Sequence, residues 1–225
     1  MERRRLLNIN GIPFWEDCVF YAPLNQGDLA DMISGNSCQK ASFATLASIV
    51  YDSNVGAYLF TSGNYSSQYK DIFYWGNLNL GIFSNNMNLS DVAYTMVSKV
   101  RVATANAIGT SRHIPGLWLA GGYNYYIYSP NVAAGAYFND DTIDNQWHEY
   151  IVRVGGGTTE TIKDKTLQRT YAFSIVKNNY NYSESNKWVA VYINYASTNQ
   201  QMGSAYIKDI RVYNRALTDA EIAQL

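Results

Sequence analysis

Tyrosine is the residue type in this chain best suited to ligand recognition, because it supplies 20 of the 225 residues and clusters with asparagine, serine and glycine. Three segments carry the mixture: GGYNYYIYSP at 121–130, SGNYSSQY at 62–69 and NNYNYSESN at 178–186. Flat aromatic rings stack on the C–H faces of saccharides, and amides hydrogen-bond their hydroxyl groups. We therefore predict a ligand-binding set from these segments: Tyr65, Tyr69, Asn124, Tyr126, Tyr128, Tyr180 and Tyr182.

A structural role for the same tyrosines is the alternative, since tyrosine is a strong strand former that suits a half-buried sheet. Successive side chains of a strand point to opposite faces. Asn124, Tyr126 and Tyr128 therefore share one face, and the residues between them, including Ile127, share the other. We expect the Ile127 face to pack on the core, which leaves Tyr126 and Tyr128 as the candidate platform.

Catalysis by paired carboxylates needs two acids flanking the scissile bond, about 5–5.5 Å apart in a retaining glycosidase. On one strand, that requires acids two residues apart. No two of the six glutamates have this spacing: Glu2, Glu16, Glu149, Glu160, Glu184 and Glu221. Nothing local links His113 or His148 to a serine or cysteine nucleophile with an orienting acid. We predict that the protein is not an enzyme, with His148 structural or at a rim and His113 in a loop.

Composition restricts the partners further. The net charge is −1, from 17 basic and 18 acidic residues, whereas a nucleic-acid surface needs a basic excess to displace counterions. No stretch approaches 18 apolar residues, and the start MERRRLL lacks the apolar body of a signal peptide. We expect no nucleic-acid partner, no membrane span, two free thiols at Cys18 and Cys38, and a soluble protein made in the cytoplasm. An extracellular location is expected only if a leader was removed.

Alternation with period two recurs along the chain and predicts strands, while turn-forming clusters such as SNNMN and GGG separate them. The predicted strands are 17–21, 57–61, 71–75, 92–103, 116–120, 124–128, 135–138, 147–154, 170–176, 187–195 and 205–213. In HEYIVRV, the face with Tyr150 is apolar and the face with Glu149 is mixed, which predicts one face on a core and one toward water.

The chain ends differently, because Thr218 and Glu221 have the spacing of a capping box, with Leu217 and Ile222 placed for a hydrophobic staple. A short C-terminal helix is therefore predicted. Many short strands indicate an all-β jelly-roll sandwich of two antiparallel sheets. Residues 1–12 are predicted to form an arm, and residues 13–225 a single domain.

Several segments resemble laminin-G-like domains of the concanavalin A-like superfamily. The run YIKDIRVYNRALTDAEIAQL is similar to that family's last strand and closing helix, and DNQWHEYIVRV to its mid-domain strand. KWVAVYIN and CVFYAPLNQGDLADMISGNS resemble a later strand and the first strand with its turn. The sequence departs at Tyr195, where a hairpin glycine is expected, and at Met32 and Ile33, which lengthen the first turn.

The resemblance implies a concanavalin A-like fold and, at matching positions, one Ca²⁺ that bridges Asp31 and Asp209. The acidic loop with Asp140, Asp141 and Asp144 does not have EF-hand spacing, and a solvated turn is expected there. The glucanases of this superfamily carry two glutamates and an aspartate alternating on one strand, and this sequence lacks that pattern.

From these features we expect a non-catalytic recognition or structural module that binds a carbohydrate or a protein surface. The MERRRLL start followed by a laminin-G-like domain also resembles structural proteins of gut Bacteroidetes phages and prophages. That resemblance implies a virion component, with assembly into a homo-oligomer or particle. Two alternatives stay open: a glycoside hydrolase or polysaccharide lyase built from distant strands, and an architectural virion protein without glycan binding.

Overall fold

A computed structural model describes residues 12–40, 48–61, 72–82, 88–104, 116–119, 123–126, 136–137, 144–172, 189–192 and 204–225. Short 3-10 turns at Trp15–Asp17 and Leu89–Asp91 precede the first and sixth strands. The strands are β1 Cys18–Ala22, β2 Gln39–Lys40, β3 Ser48–Asp52, β4 Ala57–Thr61, β5 Ile72–Trp75, β6 Tyr94–Thr104, β7 Gly116–Leu119, β8 Tyr123–Tyr126, β9 Ala136–Tyr137, β10 His148–Gly155, β11 Thr158–Lys163, β12 Thr166–Ala172, β13 Val189–Tyr192 and β14 Ser204–Tyr213. The described residues contain one α-helix, α1, which spans Asp219–Ile222.

Two sheets hold these strands. The larger sheet has the order β12-β11-β10-β6-β14-β4-β3, and β1 pairs with the second half of β14, beyond the end of β4. The smaller sheet has the order β2-β5-β13-β7-β8-β9. Every pair is antiparallel except β8 with β9, which is parallel. The predicted all-β sandwich of two sheets is confirmed.

The core lies between the sheets, where aromatic side chains pack edge to face. Phe20 on β1 meets Trp75 on β5 with ring centroids 5.3 Å apart, and Phe60 on β4 meets Phe73 at 5.6 Å. All four side chains are buried. Such pairs add about 0.5–1.5 kcal/mol each beyond area burial.

Local sequence signals account for the turn between β10 and β11 and for the start of the C-terminal helix. Gly156 and Gly157 have φ of 58° and 78°, as the two-residue turn of the β10–β11 hairpin requires. The predicted capping box is present: the Thr218 hydroxyl accepts from the Glu221 N–H, and the Glu221 carboxylate accepts from the Thr218 N–H.

Strand prediction was wrong in several places. β2, β3 and β11 were not predicted, and β12 begins four residues before the predicted start at 170. The segment TTETIK of β11 lacks an apolar face until Ile162, so pairing with β10 rather than local pattern makes it a strand. No helix in the described ranges is long and apolar enough to cross a membrane. Of the predicted arm, residues 1–11 lie outside the described part of the chain, so the arm stays a prediction.

Candidate functional site

The register of the larger sheet defines its two faces. Phe60 packs on the smaller sheet and pairs with Ala205, so Ala205 and Ile207 face inward. Tyr206, which lies between them, therefore faces outward. Its register partner on β6 is Arg101, which shares that outer face. The candidate site is built on this outward surface.

One end of the outer face is closed by a second, smaller core. Ile151 and Val97 are register partners on β10 and β6, and α1 packs its Ile222 onto them with Leu217. All four side chains are buried. The prediction that this face of β10 meets water was therefore wrong at Ile151, because the C-terminal segment covers it.

A row of alternating charges crosses the middle of the outer face. The Lys99 ammonium lies 3.8 Å from Glu149 Oε2 and 3.8 Å from Asp209 Oδ2. Asp209 in turn accepts hydrogen bonds from both Nε and Nη2 of Arg211. Glu149 and Arg211 are buried, with exposed fractions of 8% and 6%. The four charges sum to zero, so this row adds no net charge to the surface beside it.

Beyond the charged row lies the surface that we call the outer patch: Asn145, Trp147, Arg101, Lys208, Tyr206 and Asp52. The Lys208 ammonium stands over the Trp147 ring, 4.1 Å from its centroid. The Arg101 guanidinium carbon lies 5.7 Å from the centroid of Tyr206. The patch therefore combines two aromatic rings and two cations on neighbouring strands.

Hydrogen bonds fix the polar groups of the outer patch. Arg101 Nε donates to Asn145 Oδ1 at 2.9 Å, and the Tyr206 hydroxyl donates to Asp52 Oδ2 at 2.9 Å. The Tyr206 bond is the main cause that lowers the pKa of Asp52, and it raises the pKa of Tyr206 in return. Asp52 is thus an anion and Tyr206 a neutral phenol around neutral pH.

His148 anchors the turn that carries Asn145 and Trp147. Its Nδ1 lies 2.6 Å from Asp164 Oδ2, and its Nε2 lies 3.1 Å from Asp144 Oδ2. The pKa of Asp144 is lowered, chiefly by the Gln146 backbone N–H and then by His148. Both ring nitrogens are engaged with carboxylates, which suits the predicted structural role at a rim.

The predicted tyrosine platform lies mostly outside the described residues. Tyr65, Tyr69, Tyr128, Tyr180 and Tyr182 belong to segments that the structure does not describe, as does His113. For Asn124 and Tyr126 the backbone is described: both belong to β8 of the smaller sheet, where Asn124 pairs with Trp118 of β7. The platform remains a prediction.

Asp31 and Asp209, the predicted calcium ligands, lie on either side of β1 in a chain of contacts: Asp31 binds the backbone of Tyr21, and Tyr21 pairs with Arg211, which binds Asp209. Asp31 is fully buried, and its carboxylate accepts the backbone N–H groups of Tyr21, Ile33 and Ser34 at 2.7–3.2 Å.

These contacts limit what the pair can offer a metal. Protein donors already occupy all four carboxylate oxygens, and a Ca²⁺ at Asp209 would have to displace the guanidinium of Arg211. As placed, the two side chains do not fit a bridging Ca²⁺, and no cluster of three or more potential metal ligands occurs among the described residues. Asp140 and Asp141 lie outside those residues. Calcium at Asp31 and Asp209 stays a prediction that requires the Arg211 side chain to move.

The two cysteines are free thiols in the structure, as predicted. Cys18 is buried within the second core, and this burial raises the pKa of its thiol to about 12. A thiol with so high a pKa is a poor nucleophile at neutral pH.

Sequence reasoning missed the residues of the outer patch. A local signal existed, because Lys99 and Arg101 alternate with valines on β6, and Tyr206 and Lys208 alternate with Ala205 and Ile207 on β14. That alternation shows two outward rows, but it does not show that β6 and β14 are neighbours or that the turn before β10 meets them.

No protein-family model and no curated protein matches the sequence. Solved structures do match its fold. Botulinum neurotoxin type C, which depends on two ganglioside molecules to enter cells, aligns with a TM-score of 0.61 and 12% identity. The binding domain of botulinum neurotoxin DC, solved in complex with rat synaptotagmin II, aligns with a TM-score of 0.59 and 13% identity. Each alignment covers 92% of this chain and 50% of the other.

A mutant sialidase of Trypanosoma rangeli with trans-sialidase activity also aligns, with a TM-score of 0.56 and 13% identity over 92% of this chain and 32% of the sialidase. This chain thus spans half or less of each of these three structures. At such identities the comparisons establish the sandwich fold and nothing about activity.

Proposed function

We propose that this domain is a non-catalytic carbohydrate-binding module and that the outer patch is its binding surface. The observation that carries the proposal is the placement of two aromatic rings, two cations and an amide together, on one sheet face and the turn beside it. Trp147 and Tyr206 supply rings for the C–H faces of sugars, and Arg101 and Asn145 supply donors for their hydroxyl groups.

The donors of the patch are only partly used within the protein. Arg101 donates through Nε to Asn145, and neither Nη group donates to a described residue. The Asn145 side chain is exposed, and its amide nitrogen donates to no residue in the described ranges. A saccharide can therefore gain hydrogen bonds here without breaking those that hold the patch together.

The structural neighbours support a binding role in general terms. Among them are a toxin that interacts with gangliosides and a toxin domain that binds a protein, synaptotagmin II. In both cases the alignment covers half of that chain, so this support is general. A carbohydrate is proposed rather than a protein because the rings and the free donors of the outer patch suit the C–H faces and the hydroxyl groups of a sugar.

Absence of catalysis is part of the proposal. His148 is bound on both ring nitrogens by Asp144 and Asp164, and Glu149 lies buried beside Lys99. A glycoside hydrolase or lyase needs an acid or base that can reach a substrate. Incubation with laminarin, agarose, carrageenan and alginate tests this point: release of reducing ends or unsaturated products would contradict it.

A place in a phage particle is the finer part of the proposal. Single saccharide sites of this kind bind weakly, and repetition in a homo-oligomer or virion multiplies the apparent affinity by about 10² or more. The tyrosine-rich segments are proposed as a separate contact surface, because Asn124 and Tyr126 belong to the smaller sheet, and calcium at Asp31 and Asp209 is proposed only with Arg211 displaced. Light scattering after size-exclusion chromatography measures the self-association that this arrangement requires.

The test of the binding proposal is a glycan array probed with the purified chain and with the Trp147→Ala variant. We expect retained glycans whose signal falls about tenfold in Trp147→Ala, a loss of ~1.4 kcal/mol. The control is Lys40→Gln, an exposed position on the smaller sheet, which should bind like the wild type. The proposal would be contradicted if no glycan were retained or if Trp147→Ala retained glycans as well as the wild type. Binding of a protein through the same residues would mean that the ligand of the outer patch is a protein and not a carbohydrate.

A further inference from the structure

We propose that the outer patch selects saccharides that carry an anionic group, a carboxylate or a sulfate ester, which Arg101 and Lys208 receive together. This inference rests on the proposed function and names the class of its ligand. It follows from how the charges of the larger sheet are paired, from the positions of the two cations, and from the rings beside them.

On the two central strands β6 and β14, ion pairing within the described residues leaves two of the four cations over. Lys99 is shared by Glu149 and Asp209, and Arg211 is held by Asp209. Arg101 and Lys208, in contrast, form no ion pair with any residue of the described ranges. Both side chains are half-buried, so their charges are less screened than those of fully exposed side chains.

Nearby acids cancel these two charges only in part, because Asp52 brings one negative charge into the patch and attracts Arg101. Asp52 gives its Oδ2 to the Tyr206 hydroxyl, and Asp144 gives both carboxylate oxygens to His148. The six residues of the outer patch carry two positive charges and one negative, so the patch is a positive surface on a chain whose net charge is −1. Local excess of one sign favours a ligand of the other.

The register places Arg101 and Lys208 within reach of one ligand group. Tyr206 is the partner of Arg101 across the β6–β14 pair, and Lys208 lies two residues further along β14 on the same face. Diagonal neighbours of this kind lie about 7–8 Å apart in antiparallel sheets. Their side chains can therefore converge on a single anionic group.

Each cation also lies beside a ring, which makes the patch specific for an anion attached to a sugar. The Lys208 ammonium stands 4.1 Å above Trp147 and covers one face of the indole. A ligand anion that draws the ammonium toward itself uncovers that face for the sugar ring. A neutral saccharide offers no such attraction and must displace Lys208 from the ring at a cost.

The test is a titration of the whole chain with three polymer classes at low and physiological salt: polygalacturonate and alginate, carrageenan and dextran sulfate, and neutral dextran and laminarin. Wild type, Arg101→Gln, Lys208→Gln and the matched control Lys40→Gln are compared. Intrinsic fluorescence, with Trp147→Phe as reference, reports whether the ring is involved.

We expect binding to one or both anionic classes, weakened about tenfold by Arg101→Gln and by Lys208→Gln and unchanged by Lys40→Gln. The class that binds at physiological salt distinguishes carboxylate from sulfate. A fluorescence change that is absent in Trp147→Phe is part of the expected result.

Binding of neutral polymers that survives both substitutions would overturn the anionic inference and leave the carbohydrate proposal standing. No binding to any polymer would overturn both. Equal weakening by Lys40→Gln would mean diffuse charge attraction, and equal binding of polyglutamate without the fluorescence change would mean an acidic protein partner. Either outcome contradicts selection of an anionic sugar.

Discussion

The ammonium of Lys208 lies 4.1 Å from the centroid of the Trp147 ring and joins β14 to the turn that leads into β10. The two residues are 61 positions apart in the chain, and the intervening strand β6 brings them together. Both the stability of the turn and the chemistry of the outer patch depend on this contact.

Replacing the lysine tests the energy of that contact. We expect Lys208→Gln to lower the free energy of unfolding by about 0.5–1 kcal/mol, because a half-buried cation–π contact is lost. Urea unfolding followed by circular dichroism measures the change. The Trp147→Ala, Lys208→Gln double variant should lose less than the sum of the single changes, and strict additivity would show that the two side chains do not interact.

The covered part of the outer face predicts a large cost at Ile151. Ile151→Ala should lower the free energy of unfolding by about 2–5 kcal/mol, because the side chain is fully buried against Val97 and the C-terminal segment. Leu167→Ala on the same sheet, at a side chain 54% exposed, should change it by about 0.5 kcal/mol or less. Similar small losses for both variants would mean that the C-terminal segment does not seal this face.

Strand β10 shows which structural features a local sequence pattern can predict and which it cannot. Alternation identified β10 and its apolar inner face, because period two depends only on neighbouring residues. It could not show that α1 covers Ile151, since that contact joins segments about 70 residues apart.

The same reasoning applies to the candidate site. The capping box at Thr218 was predictable because all its partners lie within four residues. The outer patch was not, because its members come from β3, β6, β14 and the turn before β10, and only the register between strands brings Arg101 beside Tyr206. The tyrosine-rich composition pointed to the loops, while the outer patch contains one tyrosine, Tyr206.

Acid should weaken the attachment of the C-terminal helix. Hydrogen bonds from Arg215, and then from Thr218, lower the pKa of Glu221 to about 2 from its ordinary 4.5. A lowered pKa in the folded state means that the stabilisation is present above pH 4.5 and is lost as the pH falls toward 2. The melting temperature of the wild type should therefore exceed that of Glu221→Gln near neutral pH, and the difference should shrink between pH 4.5 and 2. A difference that stays constant over this range would contradict the assignment.

Calcium and Arg211 should compete for Asp209. Because Arg211 donates to both Asp209 oxygens, a bound Ca²⁺ requires this guanidinium to leave. We expect millimolar Ca²⁺ to raise the melting temperature of Arg211→Gln more than that of the wild type, relative to excess chelator in each case. Equal stabilisation of both proteins would contradict competition, and no stabilisation of either would exclude calcium at Asp31 and Asp209.

The most direct test of the central claim is a calorimetric measurement of the dissociation constant of the glycan that gives the strongest array signal. It compares the wild type with the double variant Arg101→Gln, Trp147→Ala. The circular dichroism spectrum of the variant must match that of the wild type. Loss of one cation and one ring from the same surface should weaken binding by about 100-fold, the product of two tenfold effects. Unchanged affinity in the double variant would show that the outer patch is not the binding surface.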